Sequence, residues 1–323
     1  MKKLRTGFGA AVAAAMLATT ISAAGAAEIP CKTAKLIVPW GAGGGTHVIF
    51  SLFEETINRL DVQPKVQVVT IPGQGGNKGA KEAAKAKADG CTLFAIHQSA
   101  ITSYLNGRID FTWDAFEPVA QLTSTPDMLG ASGKTPWKSL DDMKSEVMAK
   151  PGEISVGATF GSTSQFMWLI LEDMMGLKFK YVPFDGTAER NTALLANTIQ
   201  LGSTNVATAR KFVEGGEMKA LAIAAAERSK YAPDVPTLKE LGVDLIYALN
   251  RGIMAPKGTP ADVVEQWAQI FKKAAEDPEL IAALEAKGTD VEWVGPADYR
   301  AWFEKSYAEH EKVAVKIGMF KKN

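Results

Sequence analysis

Between Pro39 and His47 the chain reads PWGAGGGTH, with glycine at 41, 43, 44 and 45 directly ahead of a helical pattern. Glycine gives up order for positive φ and for room in which another group can approach the main chain. The first N–H groups of a helix lack partners and the helix dipole adds about half a positive charge there, so an anion fits such a joint without lysine or arginine. Gly43, Gly44, Gly45, Thr46 and His47 are therefore candidate contacts for a carboxylate. Three more joints have the same character. PGQGGNKG at 72–79 offers Gly75, Gly76 and Asn77; TFGSTSQ at 159–165 offers Ser162, Thr163, Ser164 and Gln165; PFDGTAE at 183–189 offers Gly186 and Thr187, the latter a natural N-cap.

Other chemistries fail on spacing. Gly133-Lys134-Thr135 lacks the glycine five residues earlier that a phosphate loop needs, because Met128 stands there. Gly73 and Gly75 begin a dinucleotide fingerprint that Lys78 breaks, and no G-x-S-x-G elbow occurs. His47, His97 and His310 with two cysteines give no zinc spacing, so neither metal nor cofactor is expected. His310 lies in a charged helical stretch and is read as solvated.

The elements that must position the joints alternate as short apolar runs and amphipathic helices, the pattern of an α/β sheet with crossover helices. Strands are expected at 35–40, 65–71, 153–158 and 179–182, each followed by its joint and then a helix at 46–60, 80–87, up to 175 and up to about 196. In open parallel sheets such joints share the carboxyl edge of the strands, where ligands bind. If two halves face one another across a cleft, four helix N-termini converge. TSTPDM near 123–128 and YALNRG near 247–252 look like crossing points. They divide the chain into a first domain of 28–125 plus 248–323 and a second of 126–247, each with a mostly parallel sheet flanked by helices and joined by a two-strand hinge. Helices at 261–276, 278–287 and 296–317 bring Trp267, Phe271, Leu280, Leu284, Trp302 and Phe303 to the core.

Lys2, Lys3 and Arg5 precede an apolar stretch from Phe8 to Ile21 and small residues to Ala27, the make-up of a secretory signal peptide over 1–27. Lipidation at Cys31 would need a small-residue pair before it, but Ile29 and Pro30 stand there. Of 36 basic and 36 acidic residues, the signal removes three basic ones, leaving a faintly acidic surface that argues against nucleic acid as a partner. Cys31 and Cys91 each lie just ahead of a strand-like run in the exported part. A disulfide between them would join two neighbouring parallel strands and, closing about 60 residues, contribute roughly 4 kcal/mol in the chain-entropy model.

KLIVPWGAGGGTH, PGQGGNKGA, ADGCTL, FEPVAQL, PGEISVGATFGSTSQ, VPFDGTAE, YAPDVPTLKELG and RGIMAPKGTP stand in the order and spacing of the TctC-like Bug family. The chain resembles these extracytoplasmic substrate-binding proteins of tripartite tricarboxylate transporters over nearly all of its mature length. The resemblance implies a periplasmic, two-lobed binding protein of type II fold that closes on a carboxylate and delivers it to a small and a large membrane subunit. It also implies that the first two glycine-rich loops hold one carboxylate through backbone N–H groups and bridging water. The family usually has Asp at the place of His47 and often His at that of Gln165. His47 either meets the ligand or caps its helix, and Trp40 either walls the pocket or packs beneath it. Arg251 lies within reach of a second carboxylate, although an ordinary surface arginine is the preferred reading. Ser99 and Asn205 complete the expected binding set.

The function expected is capture of a small di- or tricarboxylate or aromatic acid by a monomeric protein without chemistry of its own. A ligand-loaded partner of a membrane sensor and a periplasmic enzyme acting on an organic acid are the alternatives.

Overall fold

The computed structural model describes Met1 and residues 28–319, so the expected signal peptide lies outside the described residues apart from Met1. The chain opens with β1 (Thr33–Val38), α1 (Gly45–Arg59), β2 (Lys65–Thr70), α2 (Asn77–Ala84), β3 (Thr92–Ile96), α3 (Ser99–Leu105) and the long β4 (Phe116–Pro126). It continues through β5 (Met128–Ser132), α4 (Leu140–Ala149), β6 (Ser155–Ala158), α5 (Thr163–Met175), β7 (Lys180–Pro183), α6 (Thr187–Ala196), β8 (Leu201–Thr204), α7 (Val206–Glu214) and β9 (Met218–Ile223). It returns with β10 (Ala248–Pro256), α8 (Ala261–Ala275), α9 (Pro278–Glu285), β11 (Asp290–Val294) and α10 (Pro296–Lys316).

Two sheets result, one ordered β11-β4-β10-β3-β1-β2 and the other β7-β6-β8-β5-β9. They are mixed rather than mostly parallel. β1 pairs in parallel with β2 and β3, and β6 with β7 and β8, as crossover helices require. The strands that carry the chain out of and back into the first sheet break the pattern: β10 runs antiparallel to both β3 and β4, and β5 antiparallel to β8 and β9. Only Asp127 separates β4 in the first sheet from β5 in the second. The crossing is tied there by backbone bonds from Asp127 N to Tyr247 O at 2.9 Å and from Ala224 N to Asp127 O at 2.8 Å.

Burial follows the expected periodicities. α1 turns Ile49, Phe50, Phe53 and Ile57 against the first sheet, where α8 supplies Trp267 and Phe271 from the same side. On the opposite face Phe94, Phe116, Tyr299 and Phe303 share a core that runs on through Leu129, Phe166 and Trp168 of the second sheet. α10 therefore belongs to both halves. Its His310 packs on Phe166 at 5.1 Å and meets the Tyr247 hydroxyl at 3.1 Å, so it is half-buried rather than solvated, and burial lowers its pKa.

Two helix starts differ from expectation. α2 begins at Asn77 instead of 80, because Gly76 takes a left-handed φ of 100° and turns the chain early. α6 is capped by Gly186, which makes Thr187 its first helical residue. Gly79 is needed for close approach: a Cβ there would stand 2.8 Å from Pro39 Cβ and 2.9 Å from Ile71 O.

Cys31 and Cys91 form a disulfide with Cα atoms 5.8 Å apart, immediately ahead of the parallel pair β1 and β3. Replacing both cysteines by alanine should lower unfolding free energy by roughly 4 kcal/mol in urea titrations, and reducing the wild type should do the same. Unchanged midpoints in both would separate the bridge from stability. Gly79→Ala should destabilise by ~1–3 kcal/mol through overpacking of α2 against β1, read in the same titration.

Candidate functional site: an enclosed cationic cleft

A cavity lies between the two sheets. The N-cap residues of four helices line it: Gly44 of α1, Ser162 of α5, Gly186 of α6 and Asn205 of α7. None of the four caps its helix with a side-chain hydrogen bond, although serine and asparagine are suited to do so. Only α6 carries an acidic residue, Glu189, in its first turn. Four positive helix ends thus face one space without side-chain caps.

Two arginines deepen this polarity. Arg251, 1% exposed, stands on β10 at a bulge between residues 251 and 252, an irregularity that re-aims a side chain relative to regular pairing. Its Nε donates to Thr46 Oγ1 at 3.2 Å and its Nη1 to Thr125 Oγ1 at 2.7 Å. Arg190, 3% exposed, comes from α6 and donates from Nε to Ser203 O at 2.6 Å, from Nη1 to Thr159 Oγ1 at 3.2 Å and from Nη2 to Thr187 Oγ1 at 3.1 Å. All these partners are neutral, so the hydrogen bonds fix the guanidinium groups without discharging them. Burial lowers both pKa values to about 10, partly offset by Asp127, and both groups stay charged at neutral pH.

The third buried charge is Asp127, 2% exposed, whose carboxyl is pushed up to about 7 by burial against the opposing pull of Arg190 and Arg251. His97 stacks on Trp40 with ring centroids 4.4 Å apart and planes 4° from parallel. Burial and the neighbouring Arg251 charge hold its pKa well below the usual range, so this wall is neutral and flat. Among the described residues no group of three or more His, Cys, Asp or Glu is placed to hold a metal ion, and no helix is long and apolar enough to cross a membrane.

Of the residues singled out by sequence, Trp40, Gly44, Gly45, Thr46, Ser162, Thr163, Ser164, Gly186, Thr187 and Asn205 line the cavity. Gly43 and His47 do not: Gly43 N donates to His47 Nδ1 at 3.3 Å on the outer side of the joint. Gly75, Gly76, Asn77 and Ser99 line a separate, smaller hollow. In that second glycine joint a protein carboxylate takes the anion's place, since Gly75 N donates to Asp185 Oδ1 across the cleft at 3.2 Å. Gly76 lies against the Trp40 ring, where a Cβ would stand 3.2 Å from Cε2. Gln165 Oε1 instead accepts from Gly161 N and from Asn106 Nδ2, both at 2.8 Å, bridging α5 to the end of α3.

Four helix ends do converge, but α7 replaces α2 among them. Arg251 is buried in the wall rather than on the surface, and Arg190 lines the same cavity. Sequence reading missed Arg190, Asp127 and His97. Arg190 could have been found from its spacing, three residues past Thr187 and so on the same helix face. Asp127 stood in plain view within the crossing motif, where a lone acidic residue reads as solvated.

A carboxyl whose folded pKa is raised from 3.8 to about 7 binds its proton more tightly in the folded chain, so its contribution weakens stability as pH rises from about 4 to about 7. Asp127→Asn should therefore be more stable than wild type by ~2–4 kcal/mol at about pH 8 and equal to it at about pH 4. Denaturant titrations at the two pH values measure this, and parallel pH profiles would contradict it.

The tripartite tricarboxylate transporter family receptor model matches residues 53–319. Protein BugT of Bordetella pertussis is 27% identical over 294 residues, covering 89% of each chain. The structure of periplasmic binding protein BugD superposes with a TM-score of 0.84 at 24% identity, over 90% of this chain and 99% of that one. MatC from Rhodopseudomonas palustris with bound malate gives a TM-score of 0.83 at 28% identity, over 88% and 99%. With most of its length matched and two mixed-sheet domains of the same shape, the chain belongs to the tripartite tricarboxylate transporter receptors, the TctC-like Bug family of solute-binding proteins.

Proposed function

We propose that the protein captures a small carboxylate in the periplasm, in the cleft between a lobe of 28–125 with 248–323 and a lobe of 126–247. It then delivers that ligand, as a monomer, to the small and large membrane subunits of a tripartite tricarboxylate transporter. The observation that carries this reading is the charge of the cleft. Arg190 and Arg251 face one buried carboxylate, and four uncapped helix N-termini add to the positive side. A site so enclosed reaches neutrality by taking in an anion. The malate bound to MatC is an anion of the expected size and kind. The hydroxyls of Thr46, Ser162, Thr163 and Thr187 supply further donors on the same walls. The signal-like N-terminus supports export, and periplasmic BugD supports the compartment.

The reading assigns the cleft to binding and release without turnover. A thermal-shift panel of mono-, di- and tricarboxylates should find at least one acid that raises the midpoint, since a ligand at 100 times its dissociation constant stabilises by about 2.7 kcal/mol. For that acid, Arg251→Gln and Arg190→Gln should each weaken binding roughly 10- to 100-fold by calorimetry, the worth of a charge-assisted hydrogen bond. Gly45→Val should weaken it comparably, because a side chain there begins 3.1 Å from Asn205 Nδ2 and 3.2 Å from Arg251 Nη2. A panel with no stabilising acid, or full affinity in all three folded variants, would sink the assignment.

A further inference from the structure

Asp127 is a buried charge for which the described residues supply almost no partner. It lies at the single-residue crossing from β4 to β5, lines the cavity, and is 2% exposed. Its one side-chain hydrogen bond comes from Ser203 Oγ at 3.5 Å, the outer limit of such a contact. Arg190 and Arg251 act on it through space, yet neither guanidinium comes within the 4.0 Å of an ion pair. The other titratable neighbours are the buried Tyr247 phenol and, beside Arg251, the neutral His97. Neither arginine is spent on Asp127, since both are anchored by threonine hydroxyls and a carbonyl. A carboxylate so enclosed and so weakly partnered is costly unless something in the cavity donates to it. Burial indeed outweighs the two arginines and lifts its pKa to about 7.

The cleft thus presents two fixed cations and one acceptor of hydrogen bonds around one cavity. We propose that Asp127 is the specificity-determining residue of the cleft, selecting carboxylates that also carry a hydrogen-bond donor, ammonium or hydroxyl. The arginines and helix N-termini hold the carboxylates while Asp127 accepts from the donor. This rests on the carboxylate-binding function proposed above and narrows it. Charge matching favours ammonium: two guanidinium groups and one carboxylate complement two carboxylates and one ammonium, as in an acidic α-amino acid. A hydroxy diacid satisfies Asp127 as well but leaves its second charge to the helix N-termini alone.

Succinate, L-malate and L-aspartate differ only in the group on one carbon: hydrogen, hydroxyl or ammonium. Glutarate, 2-hydroxyglutarate and L-glutamate repeat the series one carbon longer. Calorimetry at about pH 8, where Asp127 is ionised, should show a donor-bearing member of one series binding at least about tenfold tighter than its plain diacid. In Asp127→Ala, which removes the acceptor, that advantage should fall below about twofold while the plain diacid binds as well as before or better. The leading member tells ammonium from hydroxyl. The proposal is overturned if the plain diacid matches both relatives, if the advantage survives in Asp127→Ala, or if other carboxylates bind and neither series does. Failure of every carboxylate would instead remove the parent reading. Thermal unfolding of ligand-free Asp127→Ala distinguishes lost selectivity from lost fold.

Discussion

Positive charge taken out of water is the constraint on which the rest of the molecule depends. Arg190 and Arg251 stand almost wholly buried, and an isolated charge in such a place costs several kcal/mol unless its hydrogen bonds are met and an opposite charge is supplied. The fold meets the first requirement from five directions. Thr46 at the start of α1, Thr125 of β4, Thr159 beyond β6, Thr187 at the start of α6 and the Ser203 carbonyl of β8 each hold one N–H. Arg251 is anchored beside the first sheet and Arg190 beside the second, so each half of the cleft carries one guanidinium. The second requirement is met only in part by Asp127, and the remainder is left for a ligand.

The elements around the cleft are arranged to keep that remainder positive. Helices α1, α5, α6 and α7 end at the cavity without side-chain caps, and three of them begin without an acidic residue. The glycine-rich joint before α2 has been turned to a different use. Gly76 makes room for Trp40, which stacks on His97, while Gly75 reaches across to Asp185. A second set of contacts closes the same side: Thr102 and Ser103 hydroxyls donate to Gly161 O at 3.1 and 2.7 Å, and the Arg108 guanidinium lies over the Phe160 ring. Contact between the two halves therefore closes this side of the charged space.

The same electrostatics act where the two sheets meet: the cleft bears the desolvation of two cations and a weakly partnered carboxylate. The hinge carries one of the three charges itself, because Asp127 is the residue by which β4 becomes β5. Its backbone is tied to Tyr247 and Ala224 while its side chain enters the cavity. α10 limits the hinge from outside, with His310 on Phe166 and Tyr247 and Lys316 paired with Asp173 at 2.5 Å.

Local chemistry was legible in the sequence. The alternation of apolar runs with amphipathic helices determined the strand and helix order, since burial of one face follows from residue periodicity alone. Gly, Ser, Thr and Asn at strand-to-helix joints marked three of the four helix ends at the cavity, and the two cysteines before β1 and β3 marked the disulfide. Tertiary structure decided what no local pattern encodes, namely which joint faces the cleft and which charge is buried. The second glycine joint looks like the first in sequence but is filled by Asp185, from the joint between β7 and α6, 110 residues away. Arg251 looked like a surface residue because a single arginine carries no periodic signal, and only the bulge in β10 and the hydroxyls of Thr46 and Thr125 turn it inward. Periodicity reports which side of an element is apolar. The ionic character of the cleft arises from long-range pairing of side chains, whose partners are far apart in the chain and meet only when both sheets are in place.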